Sequence, residues 1–175
     1  MPNFNDLDLK NWKDSDIWTD SLWIIQERDK SGKHDGFYHG NFVPQIPRQL
    51  IKRYTKEGDV VFDPFLGSGT TAYECETLKR NFVGIEIQPS LVKHVQGKID
   101  SKKNFFEILA ADSTEEKTFI KVGESLKKHR RTKVQLAVLH PPYANIIKFS
   151  DNKKDLSNAK DLRQFLDEFS SVIKN

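Results

Sequence analysis

The sequence predicts an α/β fold, a parallel sheet with right-handed crossovers and helices on both faces. Three observations predict it. Short apolar runs of strand length ("DVVFD", "NFVGIEI", "FFEILAADS" and "VQLAVLH") alternate with stretches of helical periodicity. That alternation is the pattern of βα units rather than of separate sheets and bundles. The residues able to do chemistry gather at the ends of the runs, which is where open parallel sheets place their ligands.

The elements follow in order. "PRQLIKRYTKEG" predicts a helix with Ile46, Leu50, Ile51 and Tyr54 on one face, Pro47 in its first turn and Gly58 as its stop. "DVVFD" is the first strand. "TTAYECETLKR" is a helix turning Ala72, Cys75 and Leu78 inward, and "NFVGIEI" is the second strand. Ser90 is expected to cap a helix carrying Leu91, Val95 and Ile99 at four-residue spacing. The third strand is "FFEILAADS", and a helix weakened by Gly123 leads to the fourth, "VQLAVLH". A loop to about residue 158 precedes an amphipathic helix with Leu162, Phe165, Leu166, Phe169, Val172 and Ile173 on one face.

Residues 1–40 stand apart from this pattern and are read as an arm, with residues 41–175 as the domain proper. The arm holds all three tryptophans, Trp12, Trp18 and Trp23, among many polar residues. An arm docked on the domain by its aromatics is favoured over one that stacks on bases.

Composition sets the bounds. The 175 residues suit one domain, 37% hydrophobic and 30% charged, with a net charge of +3. That balance permits a polyanionic partner without requiring one. The single cysteine, Cys75, allows no internal disulfide. With no secretory signal at the start, the cytoplasm is the expected compartment. No apolar run nears the ~18 residues of a membrane span, and neither a membrane nor a metal is expected.

The stretch "VVFDPFLGSGTTAYECE", residues 60–76, is the most constrained. Gly67 and Gly69 allow a ligand to approach the backbone closely. The helix that follows offers free N–H groups to a carboxylate or a phosphate. No Gly-Lys-Ser/Thr follows, which excludes a P-loop, and the third glycine of a dinucleotide site is missing. Asp63 at the strand end favours an amine over a phosphate. Glu86, ending the second strand, is placed to accept both hydroxyls of a ribose. Asp112, after the third, either accepts from an adenine amine or caps the next helix. Ribose, adenine, an amine and a carboxylate together describe S-adenosylmethionine.

"DPFLGSGTT" followed by "HPPY" resembles the amino-methyltransferases of DNA, which methylate adenine N6 or cytosine N4 with that cofactor. The likeness runs over roughly residues 39–150, and "FVPQIPRQLIKRYTKEGDVVFDPFLGSGTT" carries most of it. It implies a Rossmann-like class I methyltransferase fold and a place in restriction–modification. It further implies that Asp63, Pro64, Phe65, Gly67, Ser68, Gly69, Thr70 and Thr71 surround the methionine, together with Phe42 and Pro44 from the preceding segment. Glu86 and Ile87 would hold the ribose and Asp112 the adenine. His140, Pro141, Pro142 and Tyr143 would hold a flipped base, the first two accepting from its amine and Tyr143 stacking on it.

Two departures from the family pattern stand out. His140 occupies a position where Asp, Asn or Ser is usual. A neutral imidazole accepts one hydrogen bond. Activity is therefore expected to fall below the reference pKa of about 6.5. The expected sheet also stops after four strands of the usual seven. A fragment, half of a split enzyme completed by a second polypeptide, and a chain pairing with a second copy all remain open. The sequence equally admits an RNA or protein methyltransferase, or a non-catalytic subunit. DNA is the partner favoured, with Lys148, Lys153 and Lys154 as candidate phosphate contacts.

Overall fold

The computed structural model describes residues 4–8 and 10–175. Four strands form one parallel sheet, β1 (Val60–Asp63), β2 (Asn81–Glu86), β3 (Phe106–Ala110) and β4 (Leu136–Ala137). Their order is β3-β2-β1-β4. The chain steps outward from β1 to β3 and returns to lay β4 on the other side of β1. The strand order therefore reverses between β1 and β4, and the carboxyl ends there open a crevice.

The side-chain period of two divides the strands between two cores. Val61, Phe82, Ile108 and Val138 face α1 (Gln45–Tyr54), α2 (Thr70–Thr77) and α3 (Pro89–Lys98). Val60, Phe62, Val83 and Ile85 face α4 (Glu116–Lys128) through Val122 and Leu126. Both faces of β1 and β2 are covered, and all their residues are buried. Strands covered in this way read as continuous apolar runs rather than alternating ones.

Three local expectations change. In α1, Pro47 and Ile51 turn inward and Tyr54 points outward, half exposed. Helix α3 is capped by Gln88 and not by Ser90, because Pro89 takes the first helical position, where its fixed φ and missing N–H cost nothing. Strand β4 is short because it pairs on one side only, with β1. Its outer edge has no strand partner among the described residues, as the sequence suggested. The last helix, α5 (Leu162–Lys174), buries Phe165 and Val172 but leaves Leu162, Leu166 and Ile173 exposed. No helix among the described residues is long and apolar enough to cross a membrane.

The arm docks mostly through polar contacts. The Trp18 N–H donates to Gln49 at 2.9 Å, and Asp6 pairs with Arg80 at 2.8 Å. Trp23 packs edge-on against Trp18 and lies under the Arg53 guanidinium. Deeper in, Glu74 of α2 is the hub of a buried ion cluster. It bonds His34 at 2.7 Å and Arg48 at 2.8 Å, and Arg48 reaches Asp29 at 2.6 Å. A buried carboxylate holds its charge at tolerable cost only when paired in this way, so the cluster fastens arm residues to α1 and α2.

Candidate functional site

The first loop is built on Asp63. Its side chain is fully buried at the end of β1. One oxygen accepts the Phe65 N–H at 2.9 Å and the other the Thr71 hydroxyl at 2.6 Å. The carboxylate thus ties the start of the turn to the start of α2. Burial pushes its pKa up to about 6. Gly69 caps α2 at φ +93°, and a Cβ there would lie 2.8 Å from Val95. Only glycine meets both demands without strain. No acceptor among the described residues takes the N–H of Thr70, Thr71 or Ala72; Thr71 and Ala72 are fully buried, and of the three Thr70 alone borders the cavity, where a helix N-terminus suits an anionic group.

Glu86 ends β2 and braces the same loop. Its oxygens accept from the Gly67 N–H and the Gln88 N–H, each at 2.9 Å. A carboxylate has about four acceptor positions, so two remain for a ligand. Burial, above all, raises its pKa to about 7. Asp112 uses one oxygen to accept from the N–H and hydroxyl of Thr114, at 2.8 and 2.7 Å. It closes a turn, whereas the cap of α4 is Glu115. Its other oxygen has no partner among the described residues.

The second loop leaves β4. His140 stacks on Phe42, with ring centroids 4.6 Å apart and planes 16° from parallel. Its Nε2 lies 2.8 Å from the Tyr143 hydroxyl. That bond occupies one ring nitrogen and leaves Nδ1 as the free one. Burial lowers the His140 pKa, which keeps the ring neutral. Tyr143 is 64% exposed. The Pro141 carbonyl receives no hydrogen bond among the described residues.

One cavity of about 940 Å³, its open mouth included, brings the two loops together. Phe42, Pro64, Phe65, Gly67, Ser68 and Thr70 line it with Glu86, Ile87 and Asp112. His140, Pro141, Pro142 and Tyr143 line it too. Asp63, Gly69, Thr71 and Pro44 do not. They lie behind the wall, and the first three shape the loop that forms it. Among the lysines, Lys154 reaches the cavity but pairs with Glu115, and Lys148 pairs with Asp151. Lys153 has no carboxylate partner among the described residues. No cluster of three metal-ligating side chains occurs among the described residues.

Residues 4–97 match the family model described as DNA methylase, with N6 and N4 methyltransferases as its members. The chain belongs to that family. The matched stretch begins in the arm, so the arm is part of what the DNA methylase family shares. Similar proteins include the type II methyltransferases M.MjaI and M.MjaII of Methanocaldococcus jannaschii. They are 36% identical over 91 residues and 35% over 74, or 52% and 41% of this chain. The type II methyltransferase M2.DpnII of Streptococcus pneumoniae is 35% identical over 91 residues, half of this chain. The aligned parts span 30%, 14% and 31% of those relatives, respectively. Membership in a DNA methylase family implies a methyl donor.

Sequence reasoning missed several residues of the cavity wall. Tyr38, Asn41 and Gln88 line the cavity, as do Phe149 and Asp155 of the loop after "HPPY". Asn41 donates to Ser68 at 3.0 Å, and Asp155 is buried by bonds from Ser150 and Ser157. These residues sit on irregular segments. An aromatic cluster in a polar arm was the one signal that could have pointed to Tyr38.

Proposed function

We propose that this chain carries the cofactor site and target-base motif of a DNA amino-methyltransferase. S-adenosylmethionine would bind against the glycine loop and Glu86, and a flipped adenine or cytosine against His140 to Tyr143. One observation carries the reading: the acceptors suited to a nucleoside cofactor and the "HPPY" motif wall a single cavity.

The residues present fit that cofactor. Glu86 keeps two acceptor positions for ribose hydroxyls, and Asp112 keeps a free oxygen for the adenine amine. The Thr70 end of α2, which borders the cavity, suits the methionine carboxylate. When bound, the cofactor supplies an electrophilic methyl group.

The protein's part is positioning. An exocyclic amine is a poor nucleophile because its lone pair is delocalised into the ring. Two acceptors, His140 and the Pro141 carbonyl, draw its hydrogens and favour a tetrahedral nitrogen. The two prolines hold that carbonyl in place, and Tyr143 offers a face for the base to stack on. Bringing the base out of the duplex costs a few kcal/mol. Lys153 is the cation best placed to meet a phosphate, because Lys148 and Lys154 already hold carboxylates.

Radiolabelled methyl transfer to DNA, RNA and a mixed peptide pool tests the acceptor class. Label is expected in DNA and cut on the order of 100-fold by H140A. Label in RNA or peptide alone would replace this reading.

The open edge of β4 and the exposed face of α5 favour a second reading for assembly. A second polypeptide or a second copy would complete the sheet, in which case this chain binds cofactor alone and transfers methyl only in the complex. Mixing experiments with the cofactor-binding chain distinguish the two.

A further inference from the structure

Tyr38 belongs to the arm, not to the sheet-and-helix core, yet it lies over the cofactor half of the cavity. Its ring rests on Gly67, where a Cβ would sit 3.5 Å from Cε1. Phe149, from the loop after "HPPY", stacks on Tyr38 with centroids 5.9 Å apart and planes 30° from parallel. Phe149 in turn covers Gly40 so closely that a Cβ there would meet the ring at 2.5 Å. Arm, glycine loop and post-motif loop thus interlock through one aromatic pair.

The Tyr38 hydroxyl accepts from the Gln88 side chain at 3.3 Å. Its own hydrogen has no acceptor among the described residues. Burial and the nearby Glu86 carboxylate push its pKa up to about 12, so the hydrogen stays in place at any working pH. Glu86, Asp112 and Asp155, the acids of this wall, are acceptors when charged, whereas Tyr38 brings a donor. A nucleoside has both kinds of group, hydroxyl donors for Glu86 and ring-nitrogen or oxygen acceptors for a phenol.

We infer that Tyr38 is a positioning residue for the nucleoside half of the cofactor, donating a hydrogen bond beside Glu86 while Phe149 holds its ring over the glycine loop. The inference rests on the cofactor reading above. It makes the arm a working part of the site, where the sequence favoured a cover.

Calorimetry with two probes tests it. S-adenosylhomocysteine contains both halves of the cofactor skeleton, and 5′-methylthioadenosine contains the nucleoside half. Y38F is expected to weaken both probes by the same factor, roughly three- to tenfold, the worth of one neutral hydrogen bond. F149A is expected to weaken both as well, because Tyr38 loses its backing. The melting temperature of unliganded Y38F should stay close to wild type, since the one bond its hydroxyl makes in the protein is the long one it accepts from Gln88 at 3.3 Å. Unchanged affinities in Y38F, or a loss confined to S-adenosylhomocysteine, would overturn the inference. Wild-type protein that binds neither probe would overturn the cofactor reading instead.

Discussion

At the scale of single residues, the site depends on carboxylates whose burial and bonding set their roles. Glu86 titrates at about 7 in the fold against an ordinary 4.5, raised mainly by burial. The folded state therefore holds this proton more tightly than the unfolded one. Its contribution to stability is fully present below pH 4.5 and is lost as pH rises through about 7. Ligand binding runs the other way, because ribose hydroxyls donate best to the charged form. Affinity for S-adenosylhomocysteine is expected to rise from about pH 6 to 8, and E86Q should bind weakly with a flat profile. A wild-type profile as flat as that of E86Q would argue against Glu86 as the ribose acceptor. His140 shifts in the opposite sense from an acid, since burial lowers its pKa. The acid limb of methyl transfer should therefore fall below the ordinary value of about 6.5. H140A should lose transfer by on the order of 100-fold and still bind cofactor, as separate rate and binding measurements would show.

At the scale of elements, the glycine loop and the ion cluster hold the site in shape. G69A forces a left-handed residue with a Cβ against Val95. That costs roughly 1–2 kcal/mol for the backbone and 1–3 kcal/mol for overpacking. Denaturant titration should show the loss. E74A leaves His34 and Arg48 without their shared carboxylate and is expected to cost about 3–5 kcal/mol. It should also loosen the arm, seen as faster proteolysis between residues 28 and 42. The core elements were legible because each local signal agreed with the fold. Val60–Asp63 and Asn81–Glu86 are apolar runs buried on both sides, and acids end them. The arm was not legible, because it has no period and docks through contacts dozens of residues apart, such as Trp18 to Gln49. Asp63 was recognised as important but placed on the cavity wall. Its bonds to Phe65 and Thr71, invisible from residue type alone, put it beneath. Phe149 and Asp155 escaped notice for the reason Tyr38 did: tertiary contacts bring them to the site.

At the scale of the whole molecule, the sheet is strong at its centre and weak at one margin. β1 and β2 are paired on both sides and covered on both faces, whereas β4 pairs over two residues with β1 alone. Hydrogen exchange is expected to be slowest in β1 and β2 and markedly faster at Leu136 and Ala137. Equal protection across the sheet would mean that β4 is paired in solution. A doubly paired centre and a singly paired margin put the glycine loop on the rigid part of the sheet and "HPPY" on the adaptable part. The central claim is that these two parts make one methyl-transfer site, and nucleoside mass analysis tests it most directly. DNA incubated with this chain and S-adenosylmethionine should yield N6-methyladenine or N4-methylcytosine, and H140A should form it on the order of 100-fold more slowly. A chain that binds S-adenosylmethionine yet leaves every DNA nucleoside unmodified, with a candidate completing chain present as well as absent, would contradict the account.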